Sequence, residues 1–291
     1  MRRTLSNKAA MTGIGLHKGR PAVAAFLPAE NPTGIRFFKP GLIGPIKASL
    51  TAIATTARGT NLSDGIRMVY TVEHILSACA GLGIDDLDIV LDGEEPPAAD
   101  GSALPFARTL KSAGVSEKPG QERPLLRLEK PVEYAFEKTF YRAVPAKSPF
   151  FRITFSHPHP LIGTRTVEFA LTPDNYLNEI APARTFGFKS ELARLKAAGL
   201  ALGGSLENAV VVDDDPRPPG SSALAKESDV FLNAEGALRF PDELVRHKLL
   251  DLIGDLALTG LALDKISVEA AYTGHRSNVI FAKLLVENNK L

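Results

Sequence analysis

Residues 239–255 read RFPDELVRHKLLDLIGD, and this stretch decides the predicted fold. Pro241 suits the first turn of a helix, and the acids that follow it lie where the positive end of the helix dipole stabilises negative charge. Leucine, valine and isoleucine then occupy nearly every side of the helix, which is typical of a helix buried in a protein core. The sequence therefore predicts a buried helix here, with other elements packed around it.

Three polar side chains interrupt this apolar helix at a regular spacing. His247, Asp251 and Asp255 follow one another at intervals of four residues, so they form one row along a single helix face. A buried carboxylate is costly unless a partner or a metal ion takes up its charge. A His and an Asp one turn apart can supply two ligands of a zinc site. For one isolated pair, a simple His–Asp hydrogen bond is the alternative.

The composition is that of an ordinary globular protein with almost no net charge. The chain has 291 residues, enough for two domains, and a formal net charge of +1. A nearly neutral chain without a basic, aromatic-interleaved face indicates no nucleic-acid partner. The single cysteine, Cys79, excludes an internal disulfide and suits a cytoplasmic location. No transmembrane segment is expected, because no apolar run reaches the ~18 residues that a spanning helix needs.

The two halves of the chain repeat one order of elements: several strands, then helix, strand and helix. The closest local match is between Val72-Glu-His-Ile-Leu76 and Val245-Arg-His-Lys-Leu249, and each precedes a Gly-Leu pair and another strand. Agreement in element order favours an internal duplication. We therefore expect an α+β fold of two duplicated domains, each with helices on one face of a sheet. The active site is expected in the cleft between them.

A polar segment without apolar side chains, residues 116–124, is typical of a domain linker. The predicted domains are residues 1–117 and residues 125–291, the second with an inserted segment around residues 183–235. Residues 213–222, near the end of this insert, have no periodicity, so a segment without regular structure is predicted there. Residues 215–235 are rich in proline and serine, and the sequence does not predict their conformation.

A second candidate site, at Glu73 and His74, can supply the third metal ligand and a proton-accepting carboxylate. Glu73 and His74 fall in the first turn of a helix that Thr71 is expected to cap. Catalytic zinc takes three protein ligands and leaves one position for water, while a carboxylate outside the ligand set accepts a proton. His74 with His247 and Asp251 supplies three ligands, and Glu73 supplies the carboxylate.

Three further residues have candidate roles around such a metal. Asp255, one turn beyond Asp251, is placed to orient another histidine, and His275, after a predicted strand, is the candidate general acid. Lys248 could stabilise an oxyanion or a phosphate, although a lysine at such a position is more often simply exposed. Spacing alone leaves a metal hydrolase and a non-catalytic scaffold equally open.

Motifs along essentially the whole chain resemble those of one enzyme family. In order they are Thr-Gly-Ile-Gly-Leu-His-Lys-Gly (12–19), Thr-Val-Glu-His (71–74), Ala-Arg-Thr-Phe-Gly-Phe (183–188), Leu-Gly-Gly-Ser (202–205), Val-Val-Asp-Asp (211–214), the Arg-His-Lys helix (239–255) and Gly-His (274–275). The chain resembles the UDP-3-O-acyl-N-acetylglucosamine deacetylases of lipid A synthesis. The resemblance implies two β-α-α-β sandwich domains, in agreement with the repeat.

The resemblance also implies a role for each site residue. It implies a metal, zinc or iron(II), held by the three candidate ligands, which are His74, His247 and Asp251. Glu73 is then the general base, and His275, held by Asp255, is the general acid. Thr185 and Lys248 match the groups that stabilise the tetrahedral oxyanion.

The substrate that the resemblance implies is a UDP-sugar with a fatty acyl chain, bound in a hydrophobic passage. The matching residues of the passage are Phe186, Leu192, Gly204, Leu206 and Val211. Plain core packing is the alternative for Phe186 and Leu206. Residues 215–235 are longer than the compact link expected here, so the rim of the passage is not predicted. A monomer in the cytoplasm is expected. The rivals are another amide or N-acetyl sugar as substrate, and a binding protein with a purely structural metal.

Overall fold

A computed structural model describes residues 1–159, 162–214, 230–234 and 237–290. Most of residues 213–222, for which no regular structure was expected, and most of residues 215–235 therefore lie outside the described residues. The described chain mixes helices with strands, which confirms the predicted α+β class. Within these ranges, no helix has both the length and the apolar character required to cross a membrane.

The first half of the chain begins with short strands and then alternates helix and strand. Its strands are β1 (Arg2–Leu5), β2 (Ala9–Ile14), β3 (Pro21–Pro28), β4 (Ile35–Phe38), β5 (Ile46–Lys47), β6 (Ile53–Thr55), β7 (Asn61–Ser63), β8 (Met68–Val69), β9 (Leu87–Leu91) and β10 (Val115–Lys118). Its helices are α1 (Glu73–Leu82) and α2 (Leu104–Ser112).

The second half follows the same plan with additional elements between its strands and its long helix. Its strands are β11 (Val132–Phe136), β12 (Thr139–Pro145), β13 (Phe150–His157), β14 (Gly163–Ala170), β15 (Phe186–Phe188), β16 (Val210–Val212) and β17 (Ile266–Ala271). Its helices are α3 (Pro173–Asn175), which continues into a wider π-turn (Tyr176–Ile180), α4 (Lys189–Ala197), α5 (Glu243–Ala257) and α6 (His275–Glu287).

Each half builds a five-stranded sheet, and the two sheets have the same topology. The strand orders are β2-β3-β9-β4-β5 and β11-β12-β17-β13-β14. In each sheet the central strand pairs antiparallel with one neighbour and parallel with the other, and both outer pairs are antiparallel. This match in order and direction supports an internal duplication. The domain boundaries at residues 117 and 125 remain a prediction.

Helices α1 and α5, which hold equivalent positions in the two halves, pack against each other. Their apolar side chains belong to one continuous core, which also includes the inner faces of both five-stranded sheets. Gly254 permits a close approach at the crossing, since a Cβ there would lie 2.1 Å from the backbone oxygen of Glu73. The absence of a side chain at Gly254 therefore lets α5 lie directly on the first turn of α1.

The predicted helix cap at Thr71 is wrong. Val72 is the residue that precedes α1, and Thr71 has a φ of 54° and makes no cap. The Thr71 hydroxyl instead donates to Glu95 at 2.8 Å. The buried Glu95 carboxylate also accepts the backbone N–H groups of His17 and Lys18. Glu95 thus joins the turn before α1 to the glycine-bounded loop near the start of the chain.

The stretch predicted as a linker, residues 116–124, is more structured than its composition indicates. Its first residues belong to β10, which pairs antiparallel with β1. Arg123, near its end, donates to Asp85 at 2.7 Å and to Asp264 at 2.6 Å. Since these two carboxylates come from different halves of the chain, Arg123 ties the halves together.

Candidate active site and metal centre

Three buried side chains from α1 and α5 form a group that could hold a metal ion. His74, His247 and Asp251 offer ligand atoms that all lie within 4.8 Å of one another. Asp251 Oδ1 is 3.3 Å from His247 Nε2 and 3.9 Å from His74 Nε2. Imidazole nitrogens with one carboxylate oxygen form a donor set typical of catalytic metal sites. The structure thus brings together the three residues that the sequence predicted as ligands.

The electrostatics of this ligand group suit a cation. Burial lowers the pKa of His74 to about 3, and burial also lowers the pKa of His247, so both imidazoles are neutral. Burial alone would raise the pKa of Asp251, but interactions of its carboxylate with His247, Lys248 and His275 outweigh burial and hold that pKa below its usual range. Neutral imidazole and ionised carboxylate are the protonation states that metal ligation requires. The residues present therefore fit a divalent metal ion.

The imidazole of His247 is held by its second nitrogen. His247 Nδ1 lies 3.1 Å from the carbonyl oxygen of Ala183, which can only accept a hydrogen bond. A proton on Nδ1 leaves the lone pair of Nε2 directed at the ligand group, the usual arrangement of a metal-binding histidine. The ring of His74 stands nearly perpendicular to it, with 5.1 Å between ring centres.

Glu73 lies beside the ligand group without belonging to it. Its Oε2 accepts the backbone N–H of Thr60 at 2.9 Å, and its Oε1 lies 3.8 Å from His275 Nε2. Burial raises the pKa of Glu73 to about 7, against the opposing effect of the His275 charge. A carboxyl group that titrates near neutral pH is suited to accept and release a proton there.

His275 is the first residue of α6 and is held by a buried carboxylate. Its Nδ1 lies 3.0 Å from Asp255 Oδ2, and Asp255 also accepts from the Thr60 hydroxyl at 2.5 Å and from Asn278 Nδ2 at 2.8 Å. Burial lowers the pKa of His275, but the surrounding carboxylates, Asp255 first, outweigh burial and raise it to about 10. The imidazolium is therefore the stable form, and its Nε2 proton lies on the side of Glu73.

Thr60 and Asn278 are site residues that the sequence did not reveal. Thr60 bonds Glu73 through its backbone N–H and Asp255 through its hydroxyl, so one residue fixes both carboxylates. Asn278 supplies a further donor to Asp255 from the first turn of α6. Neither residue belongs to a metal or nucleophile motif. Asn278 does lie three residues after His275 on one helix face, and this spacing was the available signal.

Lys248 and Phe186 border the ligand group. Lys248 Nζ lies 3.0 Å from Asp251 Oδ2 and 5.3 Å from the centre of the Phe186 ring. The Phe186 ring centre lies 6.1 Å from that of His247. Thr185, half-buried next to Phe186, donates its backbone N–H to a carbonyl of the first half of the chain at 2.8 Å. Lys248 and Thr185, the two residues predicted to stabilise an oxyanion, thus each have a fixed hydrogen-bond partner. Their roles stay a prediction.

The other residues predicted for the acyl passage lie on the elements that follow Phe186. Leu192 is half-buried in α4, Gly204 and Leu206 are exposed in a loop, and Val211 is buried in β16. Strand β16 pairs in parallel with β15, the strand that begins at Phe186. Burial and strand pairing at these positions do not test the acyl passage, which stays a prediction.

Comparison with known proteins gives one consistent result. Residues 2–287 match the family model described as LpxC, UDP-3-O-acyl N-acetylglycosamine deacetylase. A protein of Campylobacter fetus named UDP-3-O-acyl-N-acetylglucosamine deacetylase is 40% identical over 271 residues, which cover 93% of this chain and 86% of the relative. A protein of the same name from Chlamydia felis is 38% identical over 287 residues, which cover 98% of this chain and 96% of the relative.

Proposed function

This chain belongs to the UDP-3-O-acyl-N-acetylglucosamine deacetylase family, and we propose that it hydrolyses the 2-acetamido group of UDP-3-O-acyl-N-acetylglucosamine. The products are acetate and UDP-3-O-acyl-glucosamine, and the reaction is a step of lipid A biosynthesis. One observation carries the proposal: a carboxyl and an imidazole, 3.8 Å apart, lie beside a buried metal-ligand group without belonging to it. Metal-assisted amide hydrolysis requires this set of groups.

Zinc is the metal that we assign to the site, with iron(II) as the alternative. His74, His247 and Asp251 would hold it, since their ligand atoms lie within 4.8 Å of one another and both imidazoles are neutral. Imidazole and carboxylate ligands suit both metals. When bound, the ion would polarise the amide carbonyl and make a nearby water more acidic.

Glu73 accepts the proton of the water that attacks the acetamide carbonyl. It must be ionised for this step, and a pKa of about 7 leaves a large share of the carboxyl ionised at neutral pH. The Thr60 N–H holds Oε2 at 2.9 Å, so Oε1 remains to accept the proton. This fixed orientation reduces the entropy that would be lost in aligning the base.

His275 donates a proton to the sugar nitrogen as the bond between carbon and nitrogen breaks. The pKa of about 10 keeps its imidazole protonated at neutral pH. Because Nδ1 is bonded to Asp255 at 3.0 Å, the proton that can be transferred lies on Nε2. Glu73 takes one proton from water and His275 gives one to the amine, so the two transfers balance in the overall hydrolysis.

Thr185 and Lys248 stabilise the negative oxygen of the tetrahedral intermediate. The Lys248 ammonium, 3.0 Å from Asp251 Oδ2, brings a positive charge to the edge of the ligand group. Thr185 is held on both sides of its backbone, since its N–H donates to Gly101 and its carbonyl accepts from Val210, each at 2.8 Å. Donors held in place before the reaction stabilise developing charge most effectively.

The acyl chain of the substrate binds along Phe186, Leu192, Gly204, Leu206 and Val211. Support comes from Phe186, whose ring lies against His247 and also contacts the rings of Phe155 and Phe188. At roughly 0.8 kcal/mol for each buried methylene, even a short stretch of chain changes kcat/KM strongly. We expect kcat/KM to fall by orders of magnitude on substrate without the 3-O-acyl chain. Equal kcat/KM values with and without the 3-O-acyl chain would contradict the acyl passage and favour another N-acetyl sugar as substrate.

The experiment that tests the proposed function combines metal analysis with a deacetylation assay. Purified protein is expected to contain one zinc or iron(II) ion for each chain and to release acetate from the acylated UDP-sugar. Stoichiometric metal without acetate release would instead favour a structural role for the metal. A cytoplasmic location and a monomeric state remain predictions, which cell fractionation and sedimentation of the purified protein would test.

A further inference from the structure

The peptide bond between Ala183 and Arg184 connects two side chains of α5. Its N–H donates to Glu243 Oε1 at 2.9 Å, and its carbonyl accepts from His247 Nδ1 at 3.1 Å. Glu243 and His247 are four residues apart, so they lie on one face of the helix. These two hydrogen bonds therefore connect the Glu243 carboxylate, through one peptide group, to the imidazole of His247, a candidate metal ligand.

Glu243 is fully buried, and its carboxylate is held by several donors. Arg184 Nε donates to Oε1 at 2.8 Å, and Arg184 Nη2 donates to Oε2 at 3.0 Å. The backbone N–H of Arg239 also donates to Oε2, at 2.6 Å. Because a buried carboxylate with this many donors cannot rotate without losing several hydrogen bonds, it fixes the plane of the peptide that it holds.

The neighbouring peptide groups are held as well. The carbonyl of Pro182 accepts from Arg239 Nη1 at 3.0 Å, and the N–H of Thr185 donates to the Gly101 carbonyl at 2.8 Å. The segment therefore has partners on both sides of the Ala183–Arg184 unit, and the Ala183 carbonyl has one orientation available to it.

We propose that Glu243 is a positioning residue for the metal ligand His247 and acts through the Ala183–Arg184 peptide group. A peptide whose N–H is bonded to a carboxylate is polarised, and its carbonyl becomes a stronger acceptor. That carbonyl holds the proton of His247 on Nδ1, which keeps Nε2 free to bind metal and increases its basicity. The inference rests on the proposed metal site and gives it a partner outside the ligand set.

The tautomer of His247 tests this inference without any variant in Glu243. Nitrogen-15 NMR of the wild-type protein without metal should show His247 protonated at Nδ1, with the signal assigned by its loss in His247→Gln. A neutral His247 protonated at Nε2 would overturn the inference, because the Ala183 carbonyl would then have no proton to accept.

The second measurement compares metal affinity between two matched substitutions. Glu243→Gln removes the charge of a buried acid bonded to an arginine and to backbone N–H groups. Asp86→Asn does the same at a distant site, where the fully buried Asp86 accepts from Arg2 at 2.7 and 2.6 Å and from the Gly34 N–H at 2.8 Å. Each should lower the thermal unfolding temperature. Only Glu243→Gln should weaken zinc binding, by about 10- to 100-fold in chelator competition.

The outcomes separate this inference from the function on which it rests. Wild-type protein that binds neither zinc nor iron(II) would overturn the proposed function, and this inference with it. Wild type and Glu243→Gln with equal zinc affinities would overturn the inference alone. So would equal losses in Glu243→Gln and Asp86→Asn, since the effect would then be one of general stability. If Glu243→Gln does not fold, the tautomer of wild-type His247 can still overturn the inference.

Discussion

Glu73 and His275 are neighbours that must hold opposite protonation states in the proposed reaction. Burial raises the pKa of Glu73 to about 7, whereas nearby carboxylates outweigh burial and raise that of His275 to about 10. The base is lost as pH falls through the lower value, and the acid is lost as pH rises through the higher one. A bound metal cation lowers both pKa values and moves both limbs to lower pH. The profile of kcat/KM against pH should be a bell whose limbs belong to the coupled pair.

The His275→Ala substitution should remove the alkaline limb of that bell. No group then remains at this position to lose its proton as pH rises, so the residual activity should not fall at alkaline pH. The acid limb should move to higher pH, because the His275 charge no longer lowers the pKa of Glu73. The metal content should equal that of wild type, because His275 is not a ligand. A full bell of reduced height would show that another group is the titrating acid, and Lys248 would be the next to test.

The Glu73→Gln substitution should keep the metal and lose the activity. Glutamine has nearly the same shape and can still accept the Thr60 N–H, but it cannot take a proton from water. We expect kcat to fall by about 10²-fold or more. Metal analysis of the same preparation is the control, and turnover near that of wild type would place the base elsewhere.

The sequence predicted the residues that the structure brings together around the ligand group, and Asp255 as the partner of His275, but it missed Thr60 and Asn278. Histidine and aspartate one turn apart on an apolar helix are recognisable because burial would be costly without a partner. Thr60 bonds the carboxylates of Glu73 and Asp255, yet a single threonine has no spacing that distinguishes it from many others. Thr60, which donates to Asp255, lies 195 positions away from it in the chain, so only the fold brings these two residues together.

At the scale of elements, the crossing of α1 and α5 builds the site. The sequence predicted both helices, and each is buried along most of its length, as the apolar residues on nearly every side of residues 239–255 indicated for α5. The cap of α1 was not predictable, since Thr71 is drawn into a left-handed turn by a hydrogen bond to Glu95.

Gly254→Ala tests the close approach of these two helices. Alanine in place of glycine normally stabilises a helix by roughly 1 kcal/mol. Here the new Cβ would lie 2.1 Å from the Glu73 backbone oxygen, so the helices must separate. We expect a loss of about 1–3 kcal/mol in the free energy of unfolding, together with weaker metal binding.

The matched control for Gly254→Ala is Gly187→Ala, where a Cβ meets no atom within 4 Å. This control should change the free energy of unfolding by no more than about 0.5 kcal/mol. A stable Gly254→Ala protein with normal metal affinity would show that the crossing tolerates a wider separation. Urea denaturation of both variants supplies the comparison.

At the scale of the whole molecule, the repeat in the sequence predicted a duplicated order of elements, and the structure shows two five-stranded sheets of matching topology. The residues between the halves were harder to interpret. Their polar composition indicated a linker, yet β10 pairs with β1 at the other end of the half, and Arg123 joins carboxylates of both halves. Pairings between distant segments depend on the fold and leave no local pattern.

His74 is the candidate metal ligand that the first half contributes, whereas the other two candidates, His247 and Asp251, come from the second half. The most direct measurement is therefore the metal content of purified His74→Ala, by mass spectrometry, alongside acetate release from the acylated UDP-sugar. The variant should lose both bound metal and activity, while wild type binds one metal ion for each chain. His74→Ala with stoichiometric metal and full activity would contradict a metal centre shared between the two helices.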